Sequence, residues 1–94
     1  MDKSFDGKEP GQGFEFPGVF EICAMGPADA GLEAQVGREL SSAGLVVIAD
    51  SLRSRPSREG RFVSVTVSFQ AGSRADYEAA HAALRALPDV KWTL

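Results

Sequence analysis

A chain of 94 residues, 44% of them hydrophobic, sits near the lower end of single-domain size and buries only about 60–65% of its unfolded surface, enough for one core but not for a core plus a deep enclosed pocket. The net charge of -3 speaks against a general nucleic-acid binder, which is usually basic overall. The single cysteine, Cys23, excludes an internal disulfide and a thiolate metal site, and points to a reducing compartment such as the cytoplasm.

Met1 to Gly13 holds no continuous apolar run, so it reads as neither a signal peptide nor a membrane anchor. Phe5 is its one large apolar residue, too little burial to offset the entropy of ordering. The expected organisation is a mobile tail over 1–15 followed by one domain over 16–94.

Gly18 to Met25 alternates, with Phe20, Ile22 and Ala24 on one side and Val19, Glu21, Cys23 and Met25 on the other, the mark of a half-buried strand. Gly26-Pro27 is expected to end it, with Pro27 suited to the first turn of a helix. From Ala28 to Ala43 the period becomes helical: Leu32, Val36 and Leu40 recur every four residues, Asp29 and Glu33 fall in the early turns, and Gly44 stands where a left-handed cap wants glycine. Leu45 to Ser51 is β-branched and apolar, a second strand that turns polar through Leu52 to Arg55. Pro56 to Gly60 is turn chemistry. Arg61 to Ala71 is the strongest strand, with Val63, Val65, Val67 and Phe69 facing one way and Ser64, Thr66 and Ser68 the other. Ser73 and Asp76 resemble a capping box for a second helix with the stripe Tyr77, Ala80, Leu84 and Leu87, stopped by Pro88. A last strand, Asp89 to Leu94, places Val90, Trp92 and Leu94 on one side and Lys91 and Thr93 on the other.

The order β-α-β-β-α-β predicts an α+β, ferredoxin-like sandwich: a four-stranded antiparallel sheet with both helices on one face, because right-handed crossovers put them there. The first and third strands are expected in the centre and the second and fourth at the edges. The predicted core is Phe20, Ile22, Leu32, Val36, Leu40, Val63, Val65, Val67, Phe69, Leu84 and Trp92. The uncovered face would carry Glu21, Cys23, Ser64, Thr66, Ser68, Lys91 and Thr93, a polar surface of mostly short side chains and the first candidate binding site.

Several stretches, in matching order over Phe16 to Leu94, resemble the YbeD-like family of small bacterial proteins of unassigned function. Phe16-Pro17-Gly18-Val19-Phe20 is similar to its F-P-x-x-F opening, and Met25-Gly26 to the close of its first strand. Pro56 to Val65 is similar to its P-S-x-x-G-x-[YF]-x-S-V hairpin, and Val90-Lys91-Trp92-Thr93-Leu94 to its last strand. The resemblance implies a fold akin to the ACT regulatory domains, which bind small effectors at subunit interfaces, and implies neither an enzyme activity nor an established ligand. Cys23 departs from the pattern, since relatives often carry lysine there, so a role tied to a cation at that position does not carry over.

Catalysis finds no support in the residues. His81, the only histidine, lies at the border of a packed helical stripe, with no Ser-x-x-Lys or Gly-x-Ser-x-Gly element to supply a nucleophile. One histidine and one cysteine do not make a zinc site, and Gly26-Pro27-Ala28-Asp29 sets a carboxylate where a phosphate cradle would need none. No cofactor is expected. Cys23 reads as a small strand residue, or as a reactive thiol if Lys91 is its neighbour. Arg53, Arg55, Arg58 and Arg61 cluster at the hairpin between the second and third strands as a candidate patch for an acidic protein, an RNA backbone or an anionic metabolite, offset by Asp50 and Glu59. The leading expectation is a non-enzymatic regulatory or adaptor domain that binds a small effector or a protein partner through its sheet or the arginine hairpin. Val46, Val47 and Ile48 would form an apolar edge for a homodimer. A single-stranded RNA module using the arginine hairpin is the alternative, and the expected open face holds no aromatic residue for base stacking.

Overall fold

The computed structural model describes residues 15–94. The tail expected over 1–15 therefore lies, apart from Glu15, outside the described residues. The elements run β1 (Gly18–Pro27), α1 (Leu32–Ser42), β2 (Val46–Val47), β3 (Arg53–Pro56), β4 (Phe62–Ala71), α2 (Arg74–Arg85) and β5 (Trp92–Thr93). Every pairing is antiparallel, in the order β2-β4-β1-β5, with β3 also paired to β4. The five strand segments occupy four positions, as the β-α-β-β-α-β plan requires, because β2 and β3 are two pieces of one edge.

β1 and β4 form the centre over ten residues each, in a register that sets Phe20 opposite Phe69, Ile22 opposite Val67 and Ala24 opposite Val65. Side chains alternate across a strand, so these pairs share one face. Leu32, Val36 and Leu40 of α1 and Ala80 and Leu84 of α2 bury against that face. Both helices thus cover the same side of the sheet. Ten of the eleven predicted core residues pack there, Phe20 half-buried among them, and Ala24, Leu45, Ala71 and Ala80 join them. The eleventh, Trp92, is 49% exposed.

Four boundaries differ from the expectation. β1 runs on through Gly26 and Pro27, because glycine there admits the Asp89 carbonyl to the space a Cβ would fill. α1 begins at Leu32 rather than Ala28, since Gly31 turns left-handed (φ 72°) at its N-cap and leaves Asp29 in the preceding turn. The apolar run Leu45 to Ser51 pairs over Val46–Val47 alone; at Asp50 (φ 66°) the chain turns out of the ladder and re-enters at Arg53. Ser51 bridges the gap, its hydroxyl accepting from the Ser68 N–H at 3.0 Å and donating to the Ile48 carbonyl at 2.7 Å. The last strand keeps two residues in opposite register to the one predicted. Val90 packs into the core, yet Trp92 pairs with Met25 and Thr93 with Ala24, so the alternation breaks at Lys91.

The caps follow the sequence more closely. Leu45 N–H bonds the Leu40 carbonyl and Gly44 N–H the Ser41 carbonyl, a Schellman motif with Gly44 left-handed at φ 89°. Ser73 caps α2 by accepting from the Asp76 N–H at 3.3 Å, while the Asp76 carboxylate reaches back to Gly72 N–H at 3.1 Å. Among the described residues, no helix is long and apolar enough to cross a membrane.

Candidate functional site

The face of the sheet away from the helices is built by the residues that alternate with the core. β1 supplies Val19, Glu21, Cys23 and Met25, and β4 supplies Phe62, Ser64, Thr66, Ser68 and Gln70. Five of the seven residues predicted for this surface stand on it: Glu21, Cys23, Ser64, Thr66 and Ser68. Lys91 and Thr93 do not. Thr93 opposes Ala24 and is half-buried toward the helices, and Lys91, exposed, lies outside the two-residue strand with its N–H on the Met25 carbonyl at 2.7 Å. Leu94 exchanges two backbone hydrogen bonds with Cys23, so Lys91 is not the cation beside that thiol. The reactive-thiol idea loses its partner.

The register adds residues that the sequence reading assigned elsewhere. Arg53 opposes Thr66 and Arg55 opposes Ser64, so both arginines belong to the open face and not to the turn. Arg58 stands in the turn and Arg61 just before β4, in a hairpin closed by Ser57 N–H on the Phe62 carbonyl at 2.8 Å and by Phe62 N–H on Ser57 Oγ at 3.1 Å. Phe62 and Trp92 lie on the open face too, 42% and 49% exposed, with ring centroids 6.4 Å apart. The alternation that placed Ser64 also places Phe62, a signal present in the sequence. Nothing in six terminal residues marks the change of parity that exposes Trp92.

These side chains line two adjoining depressions. The polar one, about 430 Å³, is bounded by Arg53, Ser54, Arg55, Ser64 and Thr66. The apolar one, about 280 Å³, lies between Met25, Pro56, Phe62, Val63 and Trp92, with Arg55, Ser57 and Ser64 at its rim. Arg55 and Ser64 border both. Arg53 is matched by Glu21 at 3.1 Å, and Arg61 lies 3.8 Å from Glu59. Among the described residues, neither Arg55 nor Arg58 has a carboxylate within ion-pair distance.

On the other side of the sheet, His81 packs against Tyr77 with ring centroids 4.9 Å apart and the rings tilted by 50°, and its buried Nε2 has no hydrogen-bond partner among the described residues. Burial, and then the Arg85 guanidinium, hold its pKa below 6.5. Among the described residues, no three His, Cys, Asp or Glu side chains converge to hold a metal ion.

Fold and face together define a small ferredoxin-like α+β sandwich with one uncovered side of mixed basic and aromatic character. The family described as protein of unknown function, DUF493, matches residues 12–94, and the chain belongs to this family; its curated relatives are UPF0250, or YbeD-like, bacterial proteins. It is 48% identical to a UPF0250 protein of Xanthomonas axonopodis pv. citri over the whole of both chains. It is 49% identical to a UPF0250 protein of Stenotrophomonas maltophilia, over 90% of this chain and 92% of that one. The solution structure of protein HP0495 from H. pylori superposes with a TM-score of 0.72 at 16% identity, covering 100% of this chain and 97% of that one, a likeness of fold alone.

Proposed function

We propose that the protein is a small, non-enzymatic regulatory or adaptor domain of the bacterial cytoplasm that binds a protein partner or a small effector through its open sheet face and the adjoining arginine hairpin. The observation that carries this reading is the pair of depressions sharing Arg55 and Ser64, which lets one ligand engage a polar and an apolar compartment at once. Binding sites combine apolar lining with a few placed polar groups in this way. The absence of enzyme activity is supported by the separation of the two groups best suited to chemistry: Cys23 lies on the open face, and His81 lies on α2, which packs on the opposite one. Self-pairing along the β2–β3 edge has little to work with, because β2 offers two residues and a two-fold partner would bring like-charged arginines of β3 together. The reading therefore favours a different molecule over a second copy.

Affinity capture from the native cell tests it, with the protein and a Phe62→Ser/Trp92→Ser double variant as parallel baits. The expected result is a protein or metabolite retained by the first and lost by the second. Equal retention by both overturns the assignment of the face.

A single-stranded RNA module gains one observation in its favour, since Phe62 and Trp92 supply the exposed aromatics that base stacking needs. A salt-sensitive gel shift with single-stranded RNA, abolished by Arg55→Ala, Arg58→Ala and Arg61→Ala together, would establish it. No shift at low salt eliminates it.

A further inference from the structure

We infer that the occupant of the open face is an acidic protein segment that inserts a large apolar side chain between Phe62 and Trp92 while a neighbouring carboxylate meets Arg55. This rests on the reading above and adds the chemistry of the partner.

Three observations carry it. Met25, Phe62 and Trp92 line one apolar depression on a face that is otherwise largely polar, with Val19 at the far end of β1, and Leu94, 71% exposed, lies two residues beyond Trp92. Aromatic side chains are enriched at protein contacts, and tryptophan and arginine are among the residues that most often carry interface energy. The depressions are shallow, so a small molecule would leave much of its surface in water, whereas small-molecule sites bury most of their ligand. A polypeptide seats one side chain in such a cleft and covers the surroundings with the rest of its length. The sign of the partner follows from the charges left unmatched. Glu21 already neutralises Arg53, but among the described residues Arg55, at the border of the apolar cleft, has no carboxylate within ion-pair distance, and Arg58 of the same hairpin has none either. A guanidinium beside an apolar cleft is matched by a carboxylate next to an apolar side chain. RNA fits less well, because its affinity grows with the number of phosphates neutralised, and the two arginines of this hairpin without an ion pair among the described residues, in a chain of net charge -3, neutralise few.

The test uses three hexapeptides: Leu-Phe flanked on both sides by Asp-Glu, the same core flanked by Lys-Lys, and Ala-Ala flanked by Asp-Glu. Trp92 is the only tryptophan, so its emission reports occupancy, and amide NMR maps the contact. The acidic Leu-Phe peptide will move the Trp92 emission and the amides of Arg55, Phe62, Ser64 and Trp92. Each control peptide will bind at least about tenfold more weakly. Arg55→Glu, with its melting temperature unchanged, will weaken the acidic peptide by about tenfold and strengthen the lysine one. The inference is overturned if the lysine peptide or an oligouridylate binds these amides as tightly as the acidic peptide. It is equally overturned if the acidic peptide shifts a different surface or none. In that event, a captured partner still lost by the Phe62→Ser/Trp92→Ser variant leaves the binding face standing and removes only the acidic chemistry.

Discussion

Gly26 lies inside a strand, where glycine ordinarily weakens pairing, and the reason is tertiary. A Cβ there would run into the Asp89 carbonyl oxygen and come within 2.9 Å of Leu32 Cδ1. The same Asp89 has its carboxylate held by Gln35 Nε2 of α1 at 3.1 Å, so the loop has little room to retreat. Gly26→Ala will destabilise the fold by roughly 1–3 kcal/mol or more in urea titration. Gly37→Ala, inside α1 with nothing within 4 Å of its added methyl, will stabilise it by about 0.5–1 kcal/mol. The sequence showed glycine before proline and suggested a strand end, because the carbonyl that demands a glycine comes from 63 residues further along. His81 gives a second residue-scale expectation. Its folded pKa is lowered from 6.5, so the unfolded chain binds more protons in the interval between the folded value and 6.5. This part of the stability is complete above pH 6.5 and is lost as the pH falls through the folded pKa. An NMR titration will place the imidazole midpoint below 6.5, and His81→Gln will flatten that segment of the pH–stability curve.

At the scale of elements, the long central strands and the helical stripes were legible because burial writes their periods into the sequence. Val63, Val65, Val67 and Phe69 declare β4, and Leu32, Val36 and Leu40 declare the docking face of α1. The broken edge was hidden. Leu45 to Ile48 has the composition of a full strand, and its interruption depends on Asp50 adopting a left-handed backbone and on a hydroxyl meeting an amide 17 residues away. Ser51→Ala removes that hydroxyl and leaves the half-buried Ser68 N–H unpaired. It will cost about 1–3 kcal/mol and speed hydrogen exchange at the Ser68 amide, while amides deep in the β1–β4 ladder keep their protection relative to global unfolding. β5 fails for the opposite reason: two paired residues are too few for a period, so Lys91 and Thr93 stood for the face that belongs to Trp92.

For the molecule as a whole, the governing property is that one side of the sheet is packed and the other is bare. Two phenylalanines on the same strand measure it. Phe69 is fully buried beneath the helices, and Phe62, seven residues earlier, points the other way. Phe69→Ala will cost about 3–5 kcal/mol, whereas Phe62→Ala will cost less than about 1 kcal/mol in the same denaturation assay. Equal losses would show that the face carrying the candidate site is not free. That one-sidedness was readable from the alternation of β1 and β4. The composition of the bare side was readable only in part: its serines and threonine were, whereas Arg53 and Arg55 depended on a register that the interrupted edge had concealed.

The interruption has a consequence for how the protein endures crowding. Leu45-Val46-Val47-Ile48 is the run in this chain best suited to cross-β stacking, short, apolar and uncharged. Folded, it lends two paired residues to the rim before Asp50 carries the backbone away, and the next stretch of rim carries two guanidinium groups. Fibril growth by templating on this border is thereby cut short, and the hazard written into the sequence is confined to the moments when the chain is unfolded.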